Sequence, residues 1–267
     1  MKNAIKKNIL LFPCIGLLAS CSFSLSSRSI ATGSVILNEY LANINETSVQ
    51  IGDGASLNIN INETVESNKN KGKTTLATYT CTAVYSVIET GYEVNYVYDN
   101  GEGTKQFSVL FENDAFSYVD ESGTRNAQPS DPMYLINSFN YFIDNYICKA
   151  IGSLFKSYFD AVSDGASSPD KASILTGCSV TSPDNSEWDF KIFSEYNKNK
   201  NAELGFNDAE YQKLFMYSNI EVKPAYSIEM MLLDGKMTKV AANYSYDLDG
   251  YEKPVEGDVK IRISYGK

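Results

Sequence analysis

The chain contains no histidine. That absence removes Ser/His/Asp and Cys/His relays and every imidazole metal site at once. Cysteine is scarce, 5 in 267 residues, and tryptophan occurs once. Nucleophile elbow, phosphate loop and metal-ligand spacing are missing as well. An enzyme built on this chain would need carboxylate-only or lysine chemistry, and no organised candidate is visible. Asp120 and Glu121 lie at a turn, with nothing beside them to raise one pKa over the other. Asp247-Leu248-Asp249-Gly250 lacks the alternating ligands and terminal glutamate of a calcium loop and reads as an acidic hairpin loop. The expectation is a chain that is not an enzyme, with no catalytic residues, no metal and no cofactor. Positive charge is also short: 23 Lys and Arg face 33 Asp and Glu, a net charge of −10. Nucleic acid is excluded as a partner on those grounds.

What is present begins at the N-terminus. Lys2, Lys6 and Lys7 form a basic segment, and Ile9 to Ala19 form an apolar run of signal-peptide length, too short to span a bilayer. The run ends in Leu18-Ala19-Ser20-Cys21, which resembles a bacterial lipobox, so residues 1–20 are expected to be a lipoprotein signal peptide and Cys21 the lipidated first residue of the mature chain. Two or three acyl chains hold a protein stably where one does not. Without the three signal lysines the charge becomes −13. Five serines between Ser22 and Ser29 make residues 21–33 a tether that buries too little apolar surface to order itself. These features predict a lipid-anchored protein on the extracytoplasmic face of a cell membrane. Cys81, Cys148 and Cys178 are then left, allowing at most one disulfide, for which Cys148 with Cys178 is the pair to test. Cys81 and Cys148 also read as small buried hydrophobes.

Residues 34–267 are expected to form a single domain, since no repeat or composition break divides them. Leu37, Tyr40, Leu41 and Ile44 recur at helical spacing over 34–44. The period then changes to two. Leu57, Ile59 and Ile61 alternate with Asn58, Asn60 and Asn62, and Ala77, Tyr79, Cys81, Ala83, Tyr85 and Val87 alternate with polar neighbours. Tyr92, Val94, Tyr96 and Tyr98 share a face, Asp99-Asn100-Gly101 turns the chain, and Phe107, Val109 and Phe111 form the next inner row. With the short strand AFSYV, these make a five-stranded antiparallel meander. Residues 132–163 return to helical spacing, with Pro132 at the start and Gly152 as a point of bending. Strands resume at 173–181 and at Trp188, Phe190 and Ile192. A capped helix is predicted from Asn207, then a hairpin turning at Asp234-Gly235, then a last strand carrying Val259, Ile261 and Ile263 that must pair.

A lipobox, a Ser-rich tether, a short helix, long antiparallel strands, a central helical insert and the closing IEMMLLDGKMTKVAANYSYDL and GDVKIRISYGK segments resemble the LolA and LppX/LprG group of envelope lipoproteins. The resemblance implies an α+β fold: a strongly curved antiparallel sheet of about ten strands, an incomplete β-barrel, with helices covering its concave face. It also implies an acyl-chain or other lipid ligand held in that hollow. On this chain the strand residues that would line the hollow are Tyr79, Tyr96, Tyr98, Phe107, Val109 and Phe111. The helical ones are Phe139, Phe142, Ile143, Leu154 and Phe155. The same stripe is what an ordinary packed core contains, in which case the chain is a surface-exposed module that meets another envelope or host protein.

Overall fold

The computed structural model describes residues 32–44, 51–67, 72–99, 101–113, 115–126, 139–165, 178–182, 186–192 and 228–267. Among these residues eleven strands form one open, wholly antiparallel sheet: β1 (Ser56–Ser67), β2 (Gly72–Ile88), β3 (Gly91–Asp99), β4 (Thr104–Glu112), β5 (Ala115–Asp120), β6 (Gly123–Asn126), β7 (Cys178–Thr181), β8 (Glu187–Ile192), β9 (Ile228–Leu233), β10 (Lys236–Tyr246) and β11 (Val255–Ser264). Their spatial order, β6-β5-β4-β3-β2-β1-β11-β10-β9-β8-β7, describes two meanders fused along the β1–β11 seam. The helical parts are α1 (32–44), α2 (Phe139–Tyr141), a π-helix (Phe142–Ile151) and α3 (Gly152–Gly165).

Alternation builds the sheet. In β11 every second residue from Val255 to Ile263 is buried and every intervening one exposed, so one face is apolar and the other wet. At the seam Leu57 opposes Ile263, Ile59 opposes Ile261 and Ile61 opposes Val259. The register carries the inner row outward on both sides, through Cys81, Ala83 and Tyr96 in one direction and Val240, Met230 and Phe190 in the other. On the outer face Thr82 Oγ1 donates to Asn58 Oδ1 at 3.1 Å and Thr78 Oγ1 to Asn62 Oδ1 at 3.2 Å. Lys191 reaches Asp189 at 2.7 Å and Glu229 at 3.3 Å, and Lys239 reaches Glu229 at 2.9 Å, a ladder of opposite charges across three strands.

Turn chemistry agrees with the sequence at Asp234-Gly235, where φ is 49° and 72° as a tight hairpin needs. Gly101 also has positive φ, and its N–H donates to Asp99 Oδ1 at 2.7 Å. Three differences from expectation stand out. Among the described residues the sheet has eleven strands against the expected ten or so, Gly123–Asn126 adding a sixth strand to the first meander. Helix α1 begins at residue 32 and so takes in two residues assigned to the tether; Gly33 there has no room for a Cβ, which would lie 2.7 Å from Val180 Cγ2. The third is that the helical insert is not uniformly α: it is π-helical from Phe142 to Ile151, between α-helical stretches at Phe139–Tyr141 and from Gly152. The lipobox, Cys21, residues 132–138 and the predicted helix after Asn207 lie outside the described residues.

Helices and sheet share one hydrophobic core. Phe139 stacks on Tyr85 of β2 at 5.7 Å, and Phe155 and Phe159 meet the edge of Phe190 on β8 at 6.4 and 5.7 Å. Helix α1 lies against the start of α3, where a Cβ on Gly152 would come within 2.8 Å of the Tyr40 ring.

Candidate functional site

The inner face of β2 to β5 is an aromatic surface made by register. Tyr96 opposes Phe107, Tyr92 opposes Phe111, and Phe111 opposes Phe116. The first two pairs stack, at 4.8 and 5.0 Å between ring centres, and the third meets at a tilt, at 4.8 Å. Phe107 continues the stack onto Tyr118 at 4.9 Å, and the Arg125 guanidinium lies over the Tyr118 ring at 4.4 Å. Tyr96 is fully enclosed, and burial pushes its phenol well above the ordinary range. Tyr79, Tyr98, Phe111 and Phe116 are only partly buried, so the aromatic surface is open along part of its extent among the described residues.

Of the eleven residues expected to line a hollow, eight fall into two separate places. Tyr96, Phe107, Val109 and Phe111 lie together on β3 and β4, with Tyr98 and Tyr79 beside them, and Phe139 joins that group through Tyr85 and Tyr92. Phe155 packs instead on Phe190, on the other meander. Ile143 is buried, Leu154 is half-buried, and the side chain of Phe142 lies outside the described residues.

Two polar arrangements interrupt the apolar face, and sequence reading missed both. Glu63 follows Ile61 in the inner phase of β1 and is 3% exposed; Tyr246 Oη donates to its Oε2 at 3.1 Å. An acid in an apolar phase was the available signal. Burial and the neighbouring carboxylate push the Tyr246 phenol upward. The second arrangement links α1, the π-helix and the end of β11. Tyr40 Oη donates to the Cys148 carbonyl at 3.1 Å, and Tyr265 Oη donates to the Met237 carbonyl at 2.7 Å. With that phenol proton committed, the Cys148 thiol, 3.4 Å away, is the donor to Tyr265 Oη. Cys148 is therefore a free, buried thiol engaged with Tyr265, and the bridge to Cys178 considered from the sequence is not formed. Burial raises the pKa of Tyr40, Cys148 and Tyr265, and pushes Cys81 up to about 12. Asp144, on the same π-helix, is pushed up to about 6 by burial against the opposing pull of Lys149, and its Oδ1 is buried without a hydrogen-bond partner among the described residues. π-Helical turns are rare and recur at functional sites.

Clefts open at several places among the described residues. One of about 400 Å³ lies between α1 and the β8–β9–β10 end, bordered by Ile36, Glu39, Tyr40, Asn43, Ser186, Trp188, Leu232, Asp234 and Gly235. Another, of about 250 Å³, crosses β8 to β11 near Lys191, Glu229, Asp258 and Lys260. A third, of about 270 Å³, lies over β3 to β5, and Tyr96 and Phe107 border it. Among the described residues no cluster of three or more cysteines and carboxylates is placed to hold a metal ion, and no helix is long and apolar enough to cross a membrane.

No family model matches the chain, and no curated protein matches it. Among solved structures it is similar to a porin-like protein from Bacteroides uniformis ATCC 8492, with 13% identity over 78% of this chain and 96% of that one and a TM-score of 0.20. It is also similar to an N-terminal dehydratase from the difficidin assembly line, with 8% identity over 85% and 83% and a TM-score of 0.13. Agreement that slight supports no conclusion about this chain, whose fold is established by its own strand order: a large open antiparallel sheet with few helices.

Proposed function

We propose that this chain is a non-enzymatic bacterial lipoprotein, held on the extracytoplasmic face of a membrane through Cys21, that takes a lipid or other apolar ligand between a curved sheet and the helices over its concave side. In that reading it is similar in kind to the LolA and LppX/LprG lipoproteins. The observation that supports it is the inner face itself. One apolar surface runs across ten of the eleven described strands, β6 being exposed throughout, and its aromatic part is left partly open at Tyr79, Tyr98, Phe111 and Phe116. A tyrosine-rich wall suits an amphipathic ligand, since each ring offers apolar area and a hydroxyl.

The test is native mass spectrometry with lipid extraction on residues 22–267 purified without detergent. A bound mass that disappears on denaturation, and that Phe107→Asp removes from protein still secreted and folded, supports the reading. A clean apo mass after incubation with envelope lipids overturns it. Anchoring is tested separately by Cys21→Ala, which is expected to release the protein from the membrane fraction. The second reading, a protein-interaction module with a filled core, draws on the stacking of Tyr96, Phe107 and Tyr118 at 4.8 to 4.9 Å, the ring separation of an ordinary packed interior. A persistent apo mass together with recovery of an envelope protein by crosslinking would select it.

A further inference from the structure

The wet face of the sheet carries an unusual set of side chains at the β1–β11 seam. Asparagine is depleted from strands, yet Asn58, Asn60 and Asn62 fill three successive outward positions of β1, the central strand of the described sheet. Thr82 and Thr78 donate to Asn58 and Asn62, whereas Asn60 and Thr80, opposite each other, make no side-chain hydrogen bond among the described residues. On the other flank Arg262 faces Asn58 and Lys260 faces Asn60. Arg262 also stands directly opposite Lys239, a like-charge pairing that costs stability. Glu229 takes Lys239 at 2.9 Å, but neither Lys260 nor Arg262 has an ion pair or hydrogen bond among the described residues. In a chain of net charge −10, two neighbouring cations left without a carboxylate break the local rule with no gain to the fold. Beside Lys260 the surface is hollow: the short side chain of Ala241 lies between Glu229 and Lys260 in register, and a cleft of about 250 Å³ opens there, bordered by Asp258 and Lys260. Asn58, Asn60, Thr80, Asp258, Lys260 and Arg262 are all exposed.

We propose that this face binds an acidic glycan chain, with a carboxylate of the sugar on Lys260 and Arg262 and its hydroxyls on Asn58, Asn60 and Asp258. The partner is anionic, because a neutral one leaves both cations unpaired. It is sparsely charged, because the net charge of −10 repels a dense polyanion. It is rich in hydroxyls, because amide and carboxylate side chains present the donors and acceptors that a hydroxyl group uses. Same-face neighbours lie about 6.8 Å apart along a strand and about 4.8 Å apart across strands, a spacing at which one sugar ring reaches two of them. The cleft over Ala241 is smaller than a drug-sized pocket and suits a single ring. The site lies on the opposite face of the sheet from the aromatic surface and does not depend on what binds there.

The full-length chain, held in a polyoxyethylene detergent at physiological salt, is passed over sensor surfaces carrying sialyllactose, a glucuronate disaccharide, lactose or polyphosphate. The expected result is saturable binding to at least one of the two acidic sugars and none to lactose or polyphosphate. Lys260→Gln and Arg262→Gln should each weaken that binding by about threefold, as removal of one exposed charge does. Asn60→Val should weaken it as well while leaving the melting temperature unchanged or raised, since valine is the better strand former. That split separates a binding role for the asparagine row from a structural one. Equal binding to lactose or to polyphosphate, binding unchanged in all three variants, a lowered melting temperature in Asn60→Val, or no binding to either acidic sugar overturns the proposal.

Discussion

Asp144→Asn should stabilise this protein at neutral pH. The carboxyl sits on the π-helix with Oδ1 buried and no hydrogen-bond partner among the described residues, and burial raises its pKa from 3.8 to about 6. A carboxyl with a raised folded-state pKa binds protons more readily in the fold than in the unfolded chain. Its contribution to stability is therefore fully present below pH 3.8 and is lost as pH climbs through about 6. A rise of that size is worth about 3 kcal/mol, at roughly 1.4 kcal/mol for each tenfold change in proton affinity. Because the side chain is only half-buried, solvent screening reduces this to about 1 to 1.5 kcal/mol. Asparagine keeps the shape and removes the ionisation, so urea unfolding at pH 7.5 should show a gain of that size, with the slope of the transition unchanged. At pH 4 the gain should shrink towards zero. Equal gains at both pH values, or a loss at pH 7.5, would refute the assignment of the cost to a buried charge.

Phe190→Ala deletes a fully buried ring that two α3 phenylalanines meet edge-on, and calorimetry should register a loss of about 3 to 5 kcal/mol. Gly91→Ala places a Cβ on the Phe111 carbonyl oxygen across the β3–β4 pair. It should cost about 1 to 3 kcal/mol and speed amide exchange in those two strands. Gly235→Ala meets open space but a φ of 72°, so it should cost about 1 kcal/mol without disturbing neighbouring amides. Cys81 and Cys148 are buried with raised pKa values, and site-resolved thiol labelling at pH 8 should find both silent until the protein is unfolded; rapid labelling of either in the native protein would contradict their burial.

The parts of the fold that sequence reading reached are those with an uninterrupted period of two. Leu57, Ile59 and Ile61, and Val259, Ile261 and Ile263, declare one wet and one covered face without any knowledge of their partners, and Asp234-Gly235 declares its turn. That these two strands are each other's neighbours was not legible, because a pairing across some two hundred residues leaves no local trace. Strand β6, Gly-Thr-Arg-Asn, is exposed along its whole length and carries no alternation to read. The π-helical geometry of 142–151 is equally silent, since apolar spacing differs too little between helix types to register over ten residues. At the candidate site, the aromatic rows were visible as rows. Their stacking across strands and the separation of Phe155 from them depend on register, which no local pattern encodes. Glu63 had a signal that a count of apolar residues passes over: a charge in a hydrophobic phase.

The β1–β11 seam also dictates an order of assembly. The first meander is built from neighbours joined by short turns, so its pairings close small loops and form early, and in the second a long connection from Ile192 to Ile228 separates β8 from β9. The seam joins Ser56 to Ser264 and cannot form until nearly the whole polypeptide has emerged. Until then the central strand of the finished sheet is an exposed edge, open to mispairing with another chain. A polypeptide synthesised N-terminus first keeps its two half-sheets apart until the final ten-residue strand arrives, and interruption of synthesis just short of that point would leave an adhesive intermediate in place of a shortened native protein.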